Sequence, residues 1–217
     1  MVARFTPWCA ASLALVLSAG ALSACGPSIP ARFVLERDVG DFQYRRYQEV
    51  LDVEFPIEGN TANGHTATYL RRGTREDGAD LRVATAFVTV YAKAPSLAAE
   101  IRQRLETLHS YELAVRRVNG EWVWVLDGGD IPWVMWVSGR HLIKLGGSPE
   151  EVDDEDSDTE FGIPDDILDA YTDLFSSDLN EHGQAREGSP SFGASSAELE
   201  DSEELEIPAS LRDDAPI

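Results

Sequence analysis

Two cysteines, Cys9 and Cys25, are all that the 217 residues contain. That is too few for a disulfide scaffold, and collagen and coiled-coil compositions are absent as well. Cations are scarce: 18 Lys and Arg stand against 39 Asp and Glu, for a formal net charge of −21. Binding DNA or RNA needs Lys and Arg to neutralise phosphates, so the balance argues against a nucleic-acid partner. Catalytic signatures are missing too. His65, His109, His141 and His182 form no HxH or HExxH pair, Ser148 lacks the strand-to-helix nucleophile elbow, and neither Gly128-Gly129 nor Gly146-Gly147 has phosphate-loop spacing. Nothing marks an enzyme, and no cofactor is implied.

What is present suffices for a core, since 43% of the residues are hydrophobic and the length suits one domain with tails or two small domains. The charge is uneven. Residues 1–149 hold 16 basic and 16 acidic side chains, and residues 150–217 hold the other 2 and 23. The excess therefore belongs to the last 68 residues, and the part that folds is electrically balanced.

The N-terminus reads Met1-Val2-Ala3-Arg4, followed by an apolar stretch from Ala10 to Leu22. A basic residue and a short apolar region make an export signal, the run being shorter than the roughly 20 residues of a permanent span. It ends at Leu22-Ser23-Ala24-Cys25, which resembles the lipobox of bacterial lipoproteins. The resemblance implies diacylglyceryl transfer to the Cys25 thiol, cleavage before it and acylation of the new amino terminus. Two or three acyl chains hold a protein on a membrane where one does not. Cys9 would then leave with residues 1–24, and the mature chain would have no free thiol. By similarity to enterobacterial sorting, Gly26 in place of Asp favours the outer membrane over the inner. Residues 25–31, with Pro27 and Pro30, form a short tether.

From there the patterning predicts an α+β domain over 32–178. Leu51, Val53, Phe55 and Ile57 alternate with polar residues and Pro56, as in an edge strand; Phe33–Leu35 and Phe42–Tyr47 are shorter strand candidates. Residues 65–72 look extended, and 81–92 is apolar on both faces, as in a central strand. Leu97, Ile101, Leu105 and Leu108 recur at helical spacing, with Glu100/Arg104 and Arg102/Glu106 as charge pairs on the outer side. Strands at 111–118, 121–126, 131–137 and 140–145 form an antiparallel meander whose first turn, Asn119-Gly120, suits a type I′ hairpin. A second helix starts at Pro164, whose missing N–H fits the first helical position. The expected fold is an antiparallel sheet packed by two helices. Residues 179–217 are rich in Ser, Gly, Glu and Asp and are expected to be a disordered acidic tail.

Three constellations merit comparison with plainer explanations. After loss of Trp8, the four remaining tryptophans (Trp122, Trp124, Trp133, Trp136) lie in the meander. Trp122, Trp124 and Trp136 are candidates for a platform that stacks on a glycan or apolar ligand, with Trp136 the member expected to be exposed; plain core packing is favoured instead. In the acidic loop 149–162, Asp154, Asp156 and Asp158 have the alternation that calcium uses. Thr159 stands where an EF-hand needs Gly, and Asp165 where it needs Glu, so a solvated charge run is favoured. Asp127 and Asp130 bracket a glycine turn and read first as turn formers.

The sequence thus describes a lipid-anchored envelope protein that acts by binding or structural association, with an envelope protein or a glycan as partner. The alternatives are a periplasmic or surface hydrolase with a carboxylate-based site, and calcium-dependent binding through the acidic segment.

Overall fold

The computed structural model describes residues 28–71, 83–128, 133–147, 159–160 and 162–193. Seven strands form one antiparallel sheet: β1 (Phe42–Val50), β2 (Ala62–Arg71), β3 (Val83–Tyr91), β4 (Glu112–Val118), β5 (Glu121–Asp127), β6 (Trp133–Ser138) and β7 (His141–Gly146). Their spatial order is β1-β2-β3-β7-β6-β5-β4. Helix α1 (Leu97–Glu106) lies between β3 and β4 in the chain; a two-residue ladder, β8 (Thr159–Glu160) with β9 (Ile163–Pro164), precedes helix α2 (Asp165–Leu174). The fold is mixed α+β and mostly sheet.

Both sheet faces are covered, which is why β5 to β7 read as nearly continuous apolar runs. On the first face Tyr69, Ala86, Val88, Ile143, Val134, Trp136 and Val123 are fully buried. Beneath them lie α2 and the segment 33–35, joined to the sheet by hydrogen bonds between the Tyr69 and Tyr171 hydroxyls (2.8 Å) and from Tyr69 to the Leu35 carbonyl (2.7 Å). On the second face Trp124, Met135 and Val137 are buried. There Leu97, Ile101 and Leu105 of α1 belong to the same core, Tyr91 donates to the Phe55 carbonyl (2.7 Å), and the Trp124 indole donates to Gly183 (3.0 Å).

The turn at Asn119-Gly120 closes β4 on β5, with φ of 50° and 85°, the left-handed conformation that Asn and Gly tolerate. Helix α1 forms both charge pairs, each at 2.8 Å. Glu100, however, is buried rather than on the outer side. Pro164 caps α2 from outside and Asp165 is the first helical residue.

Three expectations are corrected. Residues 51–57 are not a strand: the sheet ends at β1, Leu51 is 82% exposed, and the segment folds back with Phe55 buried and Ile57 bridging only Asn60. Its alternation reflects a chain that turns one side to the sheet, and Pro56 has no N–H to donate to a ladder. Phe33–Leu35 is likewise not a strand; Phe33 has φ 62° and its N–H closes a turn on Pro30. Finally, the folded part does not stop at 178. Leu179 and Ser191 are buried, Asn180 and Gln184 exchange hydrogen bonds, and the Asp178 carboxylate accepts from the Gly139 and Ser191 amides at 2.9 and 3.3 Å. Residues 179–193 thus pack on the domain through polar groups that composition counts as solvating. The remainder of the expected tail, 194–217, lies outside the described residues.

Candidate functional site

The segment that turns back after β1 roofs a cavity on the second sheet face. Its volume is about 150 Å³, near that of a dry engineered cavity able to take benzene. Thr66 of β2, Phe87 and Thr89 of β3, and Leu142 and Lys144 of β7 form the floor; Val50, Asp52, Val53 and Glu54 form the wall. The lining is mostly apolar with a few polar groups, as small-molecule sites are.

Lys144 is the cation in its lining. Its ammonium lies 2.8 and 2.6 Å from the two Glu54 oxygens and 4.0 Å from the centroid of the Trp133 ring, with the Phe87 ring at 5.8 Å. Phe87 and Trp133 themselves meet edge to face at 5.9 Å. The cation is therefore held by a carboxylate on one side and by aromatic faces on the other. Trp133 has room because its cross-strand partner is Gly146, where a Cβ would overlap the indole. These groups can orient an amphipathic small molecule or a cation that competes for Glu54; they contain no paired nucleophile and base.

The three candidate platform tryptophans do not share one face. Trp136 is fully buried and donates its indole N–H to the Phe175 carbonyl at 2.7 Å. Trp124 is fully buried on the other face, and Trp122 is half-buried with the Arg117 guanidinium 5.8 Å from its ring. Trp133 stands behind the cavity lining, against Lys144 and Phe87. Counting outward from the tight turn at Gly139-Arg140 already places it opposite Gly146 and two residues from the partner of Lys144, a cation in an otherwise apolar strand.

Other candidates are scattered. The Asp127 carboxylate accepts from the Gly128 amide at 2.8 Å, a turn-former's bond. Asp130, Ser148, Asp154, Asp156, Asp158 and Cys25 lie outside the described residues. Among the described residues no three His, Cys, Asp or Glu side chains converge as metal ligands.

A second constellation lies on the first face. The Phe33 ring sits between His65 (5.1 Å) and His141 (5.5 Å), and His141 also packs against Phe175 (5.3 Å). His65 Nδ1 shares a 2.8 Å hydrogen bond with the Tyr47 hydroxyl. His141 Nδ1 lies 3.0 Å from the Ser138 carbonyl, while its Nε2 is buried with no partner. A carbonyl only accepts, so Nδ1 carries the proton and Nε2 holds an unused lone pair. Burial lowers the pKa of both rings; Glu49 opposes this at His65, and at His141 the Ser138 carbonyl opposes it while Arg140 adds to it.

A base whose pKa is lower folded than unfolded binds fewer protons when folded, so stability is full above the ordinary value of about 6.5 and falls as pH drops below it. We expect the chemical-denaturation midpoint to fall from pH 7 to pH 5. His141→Phe should remove part of that slope at little cost at pH 7, because it replaces a half-satisfied polar ring with an apolar one. An unchanged slope would show that His141 is not the buried neutral ring described.

Comparison with known proteins finds no family model, no curated protein and no solved structure that gives a significant match.

Proposed function

We propose that this chain is a lipid-anchored protein of the bacterial cell envelope that acts by binding, through the cavity beneath residues 50–54, rather than by catalysis. The observation that carries the reading is the Leu22-Ser23-Ala24-Cys25 sequence at the end of a short apolar region. Two features of the domain support it. The chain joins the fold by Phe33, only eight residues after Cys25, so the anchor would hold the domain close to a bilayer. The cavity offers a cation, carboxylates and the Phe87 ring, groups that orient a ligand. An envelope protein or a glycan fragment is the partner class, and Gly26 favours the outer membrane.

The reading is tested by Cys25→Ser in a bacterial host. The unsubstituted chain should incorporate labelled palmitate and sediment with membranes; the variant should lose the label and appear in the soluble fraction. Density separation of the membranes then assigns inner or outer. Unchanged fractionation and labelling of the variant would contradict the proposal.

A further inference from the structure

We infer that one end of the sheet is a membrane-contact surface, built from Ile29, Leu51 and Phe192, which seats the domain on the bilayer that holds its anchor. This rests on the lipid-anchor reading above and adds an orientation to it.

Three large apolar side chains are exposed among the described residues: Leu51 at 82%, Phe192 at 51% and Ile29 at 44%. Scattered singly over a surface, such residues would need no explanation. These three share one end of the sheet. Leu51 directly follows Val50, the last residue of β1, which pairs with Gly64 near the start of β2. Phe192 accepts at its carbonyl from the Ser96 amide (3.4 Å), in the loop that leaves β3 at Tyr91; the Tyr91 amide in turn donates to Arg140 in the β6–β7 turn (2.9 Å). Ile29 immediately precedes the Pro30–Phe33 turn, whose Phe33 ring lies on His65 and His141 at that same end. The strands β1, β3 and β6 all finish there, and β2 and β7 begin there.

The tether enters at this end too. Cys25 is three residues from Ser28, the first described residue, so its Cα can lie no more than roughly 11 Å away. An acylated Cys25 therefore places this end, and not the opposite one bearing Asp127 and Gly146, against the lipid headgroups. Nearby charges are of both signs, Lys93 and Arg140 with Asp52 and Glu58, so the apolar side chains rather than headgroup attraction make the contact. Aromatic and aliphatic side chains at that depth are at home in the interface.

The test uses the full chain, purified with its lipid and reconstituted into phosphatidylethanolamine–phosphatidylglycerol vesicles. Leu51→Cys, Phe192→Cys and, at the opposite end, Asp127→Cys are each labelled with an environment-sensitive fluorophore, and spin-labelled lipids serve as quenchers. We expect blue-shifted emission and several-fold stronger quenching at 51 and 192 than at 127. Equal quenching at all three positions, with Cys25 acylated, would overturn the orientation and leave the anchor standing. The unsubstituted chain is the control for the anchor itself. An acylated Cys25 takes no thiol label, so labelling of that chain together with failure to bind vesicles would overturn both.

Discussion

Replacing Trp136 with alanine should destabilise the protein by about 3–5 kcal/mol, the range for deleting a large aromatic from a packed core. The side chain is fully buried on the face that α2 covers, in register with Ile143. Its indole N–H also holds the Phe175 carbonyl at 2.7 Å, so truncation leaves both a cavity and a buried acceptor without its donor. Trp136→Phe keeps most of the volume and loses the bond, and should cost about 1–2 kcal/mol. Urea denaturation followed by far-ultraviolet circular dichroism measures both. A loss below about 1 kcal/mol for the alanine variant would mean that the indole is exposed in solution, as a ligand platform requires. Trp133→Ala is the companion: its ring is half-buried beside Lys144, so it should cost less stability and alter whatever binds in the cavity.

The contrast between these two tryptophans shows what the sequence discloses. Helical spacing at Leu97, Ile101 and Leu105, the Asn119-Gly120 turn and the short apolar runs of β5 to β7 between turns are local signals, set by the period of a helix, the length of a strand and the φ that a turn demands. They locate the helices and most of the sheet. Which face of a strand is buried is another matter when helices and loops cover both faces, because alternation then disappears. Trp136 looks like the exposed member of its strand only if one face is assumed to be wet.

Segment 51–57 fails in the opposite sense. Its alternation is strong, but a strand also needs a partner, and this segment folds back with Phe55 buried instead of pairing along the open edge of β1. Phe55 joins the core, and residues 50–54 form one wall of the cavity, so the site depends on a long-range return of the chain. The Glu54–Lys144 pair spans 90 residues, a contact that no local pattern announces. Residues 179–193 were illegible for a related reason. Ser177, Asp178, Asn180 and Ser191 look like solvating side chains, yet Ser177 donates to the Trp122 carbonyl at 2.6 Å and Asp178 ties the β6–β7 turn to Ser191.

The segment that follows the tether is held by a small buried network, and breaking it should release that segment from the sheet. The bonds fix one another's direction. A carbonyl can only accept, so Tyr69 donates to Leu35 O (2.7 Å); Tyr171 must then donate to the Tyr69 oxygen (2.8 Å), and it accepts the Leu35 N–H at 3.2 Å. Burial raises both phenol pKa values, that of Tyr171 to about 12, so both hydroxyls keep their protons at any pH of use. Tyr171→Phe strands the Leu35 N–H and should cost about 1–3 kcal/mol; Tyr69→Phe strands the Leu35 carbonyl at a similar cost. Because the three groups form one network, the double variant should lose less than the sum of the singles. It should also open residues 28–39 locally before the rest unfolds, which limited trypsin digestion at Arg32 and Arg37 would detect. Strict additivity, with no faster cleavage there, would mean that the tyrosines act only as separate packing groups. If the network does act as a clamp, its loss lengthens the effective tether from Cys25 and weakens lipid quenching at positions 51 and 192 while leaving acylation intact, because the contact depends on the chain entering the fold at a fixed point.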